Sequence, residues 1–185
     1  DARDDLVDDL GTAPDPDLAL VTLARLAESP ASDVDLFIAE LSGSADLRRR
    51  TFSVLGTSAA LGDHLVRHPS DWTVLRPAEE GSGIPSASTI RQNLLDSVGA
   101  SSSALPKARG FDVDVLAALR VAYRRELMAI AAADVGDGAA FVLISAALAD
   151  LADGVLEAAL AIARAEFPDD VERCSLAVVA LGKSG

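Results

Sequence analysis

The sequence predicts a mainly α-helical protein whose last residues begin a β-strand and a glycine-rich turn. Half of the 185 residues are hydrophobic but only 4% are aromatic, so the core has to be built from Ala, Leu and Val, which favours closely packed helices. Apolar residues recur at helical spacing along most of the chain, between Ser, Gly and Pro residues that start or stop helices. The exception is the apolar run 175–181, which is typical of a buried strand and leads directly into Gly182-Lys183-Ser184-Gly185.

The first hundred residues are predicted to form an acidic arm and a bundle of short helices. Residues 1–16, rich in Asp and interrupted by two prolines, form the arm or a first frayed helix. Residues 17–100 form the bundle, in which Asp33 and Ser44 are expected to cap helices and Gly56 to follow the end of one. The expected helices cover about 17–28, 33–41, 44–55, 58–68 and 70–76, and a further helix begins at Ser86 or Ser88 and ends at about Val98.

The second half is predicted to contain a linker, a helical hairpin and the strand. Residues 101–110, with three serines and a proline, are the candidate linker. Residues 111–167 form two long helices, about 112–133 and 138–167, paired antiparallel. Residues 174–185 form the strand and turn of an incomplete core. The expected inward-facing residues are Leu116, Leu119, Tyr123, Leu127 and Ile130 on the first long helix, and Val142, Leu148, Leu151, Val155 and Ile162 on the second.

Charge and cysteine content exclude several classes of protein. The formal net charge of −13 repels a phosphate backbone, so nucleic acid is not an expected partner. The single cysteine, Cys174, cannot form an intrachain disulfide, and no stretch has the pattern of a signal peptide. The most apolar helix carries ionised side chains, so we do not expect it to cross a membrane. We therefore expect a cytoplasmic protein.

Two patterns resemble metal or phosphate motifs but have simpler interpretations. Gly182-Lys183-Ser184 copies the end of a Walker A loop, but that loop requires a glycine where this chain has Ala177. Asp33/Asp35 and Asp112/Asp114 mimic metal-binding Asp-x-Asp pairs, but each precedes a helical run without a glycine turn upstream. Capping and compensation of the helix dipole are the favoured interpretation.

The two histidines, His64 and His68, are four positions apart and could share one helix face with a metal. A zinc-protease pattern would need Glu after the first histidine, where Leu65 stands, and no third ligand is indicated. His68, directly before Pro69, is better explained as a residue at a helix C-terminus. We predict no metal ligand in this chain.

Five arginines stand out in the acidic first half: Arg48, Arg49, Arg50, Arg67 and Arg76. They either balance neighbouring acids, which is the favoured interpretation, or grip an acidic partner or a phosphate. The direction of the arginine side chains distinguishes phosphate binding from docking to an acidic partner. Side chains directed at the turn that begins at Gly182 would belong to a phosphate site, and side chains on an outer face would indicate docking.

Two segments resemble a known family. Residues 52–72, FSVLGTSAALGDHLVRHPSDW, resemble the N-terminal part of the actinobacterial glutamine synthetase adenylyltransferase/adenylyl-removing family. Residues 176–185, LAVVALGKSG, are similar to that family's strand and Gly-Lys-x-Gly turn, in the same order along the chain. The resemblance covers the chain from about Asp17 to its end.

The resemblance implies the beginning of a nucleotidyltransferase-like α/β core. In the family, the N-terminal half removes AMP from a glutamine synthetase tyrosine by phosphorolysis, giving ADP, and the C-terminal half adds AMP from ATP. The implied partners are glutamine synthetase and a PII-type signal protein. Gly182, Lys183, Ser184 and Gly185 would then bind the nucleotide or orthophosphate.

The family's remaining catalytic residues do not occur in this chain. The Gly-Lys-x-Gly turn is followed in the family by a Glu-Leu-Asn segment and a Ser-Asp-x-Asp pair that binds Mg²⁺, and both would come after Gly185. We therefore assign no catalytic residue here and expect this fragment to be inactive alone. The alternative is a non-catalytic helical module that docks glutamine synthetase or the PII-type regulator through its arginines.

Overall fold

The computed structural model of the protein describes residues 2–30, 32–78 and 83–168, and these residues are mainly helical, with no strand among them. The helical part of the predicted fold is confirmed. The predicted strand 175–181 and the turn after it lie outside the described residues. Helices α1 to α8 cover Ala2–Gly11, Pro16–Ala27, Ser32–Gly43, Ala45–Thr57, Ala59–Arg67, Ala87–Ser97, Val113–Ala131 and Phe141–Glu166, with a 3₁₀ helix at Pro69–Leu75 and a π-helical turn at Ala132–Gly136.

The chain divides into two compact units. Unit 1 takes the described residues up to Ile84 together with Met128–Phe141, and unit 2 takes Pro85–Leu127 together with the described residues from Val142 onward. The segment 101–110, predicted as a linker, lies within unit 2 and contains no helix. Its end is fixed there, because Ala108 N–H donates to the carbonyl of Ala161 at 2.9 Å.

Serine hydroxyls cap the starts of three helices, at or near the positions where the sequence predicts helices to begin. An N-cap hydroxyl accepts a hydrogen bond from a backbone N–H in the first turn that has no helical partner. The three caps are Ser44 to Leu47 N–H, Ser58 to Leu61 N–H and Ser86 to Thr89 N–H.

Gly56 does not end helix α4, so that prediction is wrong. The helix continues through Gly56 to Thr57 and is followed by Ser58. Gly56 is needed for close packing instead, because a Cβ atom there would lie 2.9 Å from the backbone oxygen of Asp15. Gly56 therefore allows α4 to pack closely against the start of α2, and it does not end a helix.

The two Asp-x-Asp pairs lie in the first turns of helices. Helix α3 begins at Ser32, so Asp33 lies inside its first turn and the prediction of Asp33 as N-cap is wrong. Its carboxylate still lies near the positive end of the helix dipole. Asp112 does cap helix α7, since its Oδ1 accepts from the N–H groups of Asp114 and Val115, each at 3.0 Å. The capping interpretation is thus confirmed for Asp112.

The long helices bury only part of the predicted faces: Leu119 and Ile130 of α7 and Leu151 and Ile162 of α8 are buried as predicted. On α8, Val142 and Leu148 are 69% and 43% exposed, although both were expected to face inward. The α7 residues Leu116 and Tyr123 are also substantially exposed. Small residues explain the difference, because a close contact between helices needs them: a Cβ on Gly154 would lie 2.7 Å from Leu94 of α6. The buried α8 residues are Ile144, Ala147, Leu151, Gly154, Ala158, Ala161 and Ile162.

Helix α4 lies at the centre of unit 1. It contacts α1, α2, α3, α5 and the π-helical turn. Phe52, Val54 and Leu55 on α4 are buried, and Trp72 packs nearby in the same unit against Phe37, with ring centroids 5.4 Å apart. This central place determines the surroundings of the arginines at the start of α4.

Candidate functional site

Helix α4 directs three consecutive arginines to three different surroundings, because successive side chains of an α-helix are about 100° apart. Arg48 is buried, and its Nε donates to Asp9 Oδ2 of α1 at 2.5 Å. Its Nη1 donates to the carbonyls of Leu41 and Ser42 at 3.1 and 3.2 Å, at the end of α3. Arg48 therefore joins three helices of unit 1.

Arg50 is a buried cation held by one carboxylate. Its side chain is 2% exposed, and its Nη1 donates to Asp137 Oδ2 at 2.9 Å. Burial lowers the pKa of Arg50, because removing a guanidinium from water disfavours its charged form, while the Asp137 charge opposes that effect. Within the described part of the chain, Arg50 Nε has no hydrogen-bond partner.

Two glycines permit this arrangement. A Cβ on Gly136 would lie 2.9 Å from the Cα of Arg50. A Cβ on Gly83 would lie 3.0 Å from Arg50 Nη1, and Gly83 has a φ of +66°, which favours glycine. The backbone therefore closes around the Arg50–Asp137 ion pair on two sides.

Arg49 extends toward the same turn but is half-exposed. Its Nε donates to the carbonyl of Gly136 at 2.9 Å, and its Nη2 donates to Asp137 Oδ1 at 3.2 Å. Its Nη1 also donates to Asp46 one helical turn earlier. The hydrogen bond to Asp46 raises the pKa of Arg49 more than any other contact, followed by that to Asp137.

Arg76 lies elsewhere in unit 1, immediately after the 3₁₀ helix. Its guanidinium makes a two-point contact with the carboxylate of Glu40, and this hydrogen bonding raises the pKa of Arg76. The same guanidinium lies over the ring of Trp72, 4.4 Å from its centroid. Arg67, in contrast, is exposed, and it makes no ion pair within the residues that the structure describes.

The arginines do not converge on one point in the described structure. Only Arg49 and Arg50 share a partner, Asp137, while Arg48 and Arg76 each bind a different carboxylate. An anion that bound these four side chains would have to compete with carboxylates already in place. Gly182, Lys183, Ser184 and Gly185 lie outside the described residues, so the roles predicted for them and for the arginines stay predictions.

The histidine pair is part of a buried hydrogen-bonded cluster. His64 Nε2 lies 2.8 Å from Asp71 Oδ2, and the side chain of His64 is 1% exposed. The rings of His64 and His68 have centroids 4.9 Å apart. His68 follows the last residue of α5, and its N–H donates to the carbonyl of His64, so its prediction as a residue at a helix C-terminus is confirmed. Asp71 had no assigned role in the sequence interpretation.

Two further acidic residues became apparent only from the structure. Asp137 was predicted only to lie in a helix break, yet it holds both Arg49 and Arg50. Glu126 is buried in unit 2, where its Oε1 accepts from Asn93 Nδ2 at 2.8 Å. It borders an open groove of about 360 Å³ between α6 and α7. An acid inside the apolar pattern of α7 was the only sequence signal for it.

The described residues include no cluster of potential metal-ligating side chains. No group of three or more His, Cys, Asp or Glu side chains among them is arranged to hold a metal ion. Asp46 and Asp137, the carboxylates near the arginines of α4, are already bound to guanidinium groups. None of the described helices has the length and hydropathy needed to span a bilayer.

Comparison with known families identifies the chain's relatives. Residues 49–185 match the sequence model of the family described as glutamate-ammonia ligase adenylyltransferase. Several curated relatives carry the name bifunctional glutamine synthetase adenylyltransferase/adenylyl-removing enzyme. The Mycobacterium bovis protein is 37% identical over 134 residues, which is 72% of this chain. The Mycobacterium leprae protein is 38% identical over 154 residues, or 73% of this chain.

A shorter segment is more similar. The Mycobacterium avium relative is 52% identical over 75 residues, which is 40% of this chain and 8% of that protein. The matched segments are 12% of the M. bovis protein and 15% of the M. leprae protein, so the chain spans only a small part of these relatives. No solved structure matches the chain significantly.

Proposed function

The chain belongs to the glutamate-ammonia ligase adenylyltransferase family, and on that premise we propose that it is part of the adenylyl-removing half of a bifunctional enzyme. That enzyme would add AMP from ATP to glutamine synthetase and remove it by phosphorolysis. The observation that carries the proposal is the family match over residues 49–185, which includes residues 182–185, predicted from the sequence to form a glycine-rich turn.

The proposed removal step is a phosphoryl-group displacement. An oxygen of orthophosphate attacks the phosphorus of the AMP group, the bond from that phosphorus to the tyrosine oxygen breaks, and ADP and the free tyrosine hydroxyl are formed. Catalysis of such a step consists mainly of positioning and of neutralising negative charge. Mg²⁺ would neutralise charge when bound, and we expect its ligands in the Ser-Asp-x-Asp segment of the full-length protein, outside this chain.

This chain would contribute the residues that bind phosphate and the helices that hold the catalytic core. Backbone N–H groups of the turn from Gly182 to Gly185 would bind phosphate oxygens, and the ammonium of Lys183 would add a positive charge. The arginines of α4 support this division of roles, because Arg48, Arg49 and Arg50 are already bound to carboxylates within unit 1. The helical bundle would then hold the core rather than bind the substrate phosphate.

The proposal is tested with the full-length protein and adenylylated glutamine synthetase. We expect ADP to be released from the modified synthetase only when orthophosphate is present. Labelled orthophosphate should appear as the β-phosphate of that ADP, because its oxygen forms the new bond. Release of AMP by water alone, or no release at all, would contradict the proposed removal step.

Docking is a second candidate function, and the exposure of Arg67 favours it. Arg67 is the one predicted docking arginine without an ion pair among the described residues. If it contacts glutamine synthetase or a PII-type protein, Arg67→Glu should raise the KM for that protein and leave kcat unchanged. Arg120→Glu, a charge reversal at an exposed arginine of α7, is the matched control. An unchanged KM in Arg67→Glu would remove Arg67 from the docking surface.

A further inference from the structure

The sequence contains two Asp-Gly dipeptides, Asp137-Gly138 and Asp153-Gly154. Aspartate before glycine isomerises readily, because glycine has no side chain to hinder attack of its backbone nitrogen on the preceding carboxyl carbon. The nitrogen loses its proton, the carboxyl group loses its hydroxyl, and water leaves as a succinimide ring forms. Water then opens the ring at either carbonyl. One opening restores aspartate, and the other gives isoaspartate, in which the main chain runs through the former side chain.

The two dipeptides lie in different backbone surroundings. Asp153 and Gly154 lie in the middle of the 26-residue helix α8, so ring formation there requires the helix to open. Asp137 directly follows the π-helical turn, and Gly138 has a φ of +65° with no atom within 4 Å of an added Cβ. The N–H of Gly138 donates to the carbonyl of Asp134 at 3.0 Å. At Asp137, therefore, the opening of one short turn is enough for the reaction.

Arginines of helix α4 hold both carboxylate oxygens of Asp137. Oδ1 accepts from Arg49 Nη2 at 3.2 Å, and Oδ2 accepts from Arg50 Nη1 at 2.9 Å. Arg49 Nε also donates to the carbonyl of Gly136 at 2.9 Å, which fixes the residue before Asp137. The carboxyl carbon cannot turn toward the nitrogen of Gly138 without breaking these contacts. A carboxylate bound to guanidinium groups is also a poorer electrophile than a neutral carboxyl group.

We propose that Asp137 is a site of isoaspartate formation, and that Arg49 and Arg50 suppress the reaction while the turn is packed on α4. Isomerisation moves the carboxylate and lengthens the main chain by one atom, so the carboxylate no longer lies where both guanidinium groups bind it. Arg50, whose side chain is 2% exposed, then loses this partner. Modification of Asp137 therefore weakens the attachment of the turn to unit 1. This inference does not depend on the proposed function.

Ageing of the full-length protein under native conditions at neutral pH tests the proposal. The original protein is compared with Arg49→Gln and with Arg25→Gln. Arg25→Gln is the matched control, because it also removes one cation from an exposed ion pair of unit 1, that with Asp63. Isoaspartate at residues 137 and 153 is measured by chromatography and mass spectrometry of the peptides, with synthetic peptides of both isomers as standards.

We expect isoaspartate at residue 137 to form about fivefold faster in Arg49→Gln than in Arg25→Gln, because the loss of two hydrogen bonds lets the turn open more often. Formation at residue 153 should be slower and equal in the two variants. Arg49→Lys, which keeps a positive charge, should give an intermediate rate at residue 137. In denaturant, residue 137 of the original protein should isomerise faster than in the native state.

Three results would overturn the inference. Equal rates at residue 137 in Arg49→Gln and Arg25→Gln would show that the arginine contacts do not control the reaction. A rise of the same size at residues 137 and 153 would assign the effect to unfolding of the whole chain rather than to opening of the turn. An equal rate at residue 137 in the native and the denatured protein would show that the folded structure does not suppress isomerisation.

Discussion

Arg50 of helix α4 and Asp137 of the turn after helix α7 form a 2.9 Å hydrogen-bonded ion pair, although 87 positions separate them in the sequence. The guanidinium is buried, and the carboxylate accepts a second hydrogen bond from half-exposed Arg49. Asp137 thus fixes the π-helical turn to the central helix of unit 1.

Removal of Asp137 should strongly destabilise the protein. Asp137→Ala leaves Arg50 buried without the carboxylate that it contacts among the described residues, and we expect a loss of about 2–4 kcal/mol in the free energy of unfolding. Because the side chain of Asp137 is 26% exposed, we expect a smaller loss of stability than for a fully buried ion pair. Urea unfolding monitored by circular dichroism measures the loss.

Asp46→Ala is the control for that experiment. Asp46 binds only the exposed side of Arg49, so its removal should cost less than about 1 kcal/mol. Equal losses for Asp46→Ala and Asp137→Ala would show that the burial of Arg50 does not determine the strength of the contact.

Gly56 should not tolerate a side chain. In Gly56→Ala, the added Cβ would lie 2.9 Å from the backbone oxygen of Asp15, and we expect a loss of about 1–3 kcal/mol. Gly43→Ala is the matched control at another helical glycine, with no atom within 4 Å of the added Cβ. It should be neutral or stabilising by up to about 1 kcal/mol. Thermal unfolding of both variants compares them, and the absence of a difference would contradict the close contact at Gly56.

Ser58 connects two helices, since it follows α4 and caps α5. Ser58→Ala removes the oxygen that accepts from Leu61 N–H, and we expect a loss of about 1 kcal/mol. Ser58→Asp retains an acceptor at the same position and should stay within about 0.5 kcal/mol of the original protein. If both variants lose the same stability, the side-chain cap is not what stabilises the start of α5.

Local chemistry explains which parts of the fold were predictable. The serine caps at Ser44 and Ser58 depend on atoms within three residues, so the sequence pattern identifies them. The role of Gly56 depends on Asp15, the N-cap of helix α2, and the role of Asp137 depends on Arg50, 87 positions away. The spacing of apolar residues along the chain does not identify partners that lie far away in the sequence.

The faces of the long helices were predicted only in part for a related reason, since Leu151 and Ile162 are buried as expected but Leu148 is not. Counting large aliphatic residues favoured Leu148 as inward-facing, but the packed side of α8 uses Gly154 and alanines to approach Leu94 closely. Leu148 and Leu156 therefore stay exposed, whereas Leu151 is buried. At the candidate site, the sequence identified the arginines, but it did not identify the carboxylates that hold them.

We propose that residues 182–185 serve the phosphate-dependent removal of AMP. The most direct test substitutes Lys183→Ala in the full-length protein, with Lys107→Ala, at the chain's other lysine, as the control. We expect Lys183→Ala to lower the rate of orthophosphate-dependent AMP removal about 10²-fold while ATP-dependent AMP addition and the unfolding temperature stay unchanged. A Lys183→Ala enzyme that removes AMP as fast as the Lys107→Ala enzyme would contradict the claim.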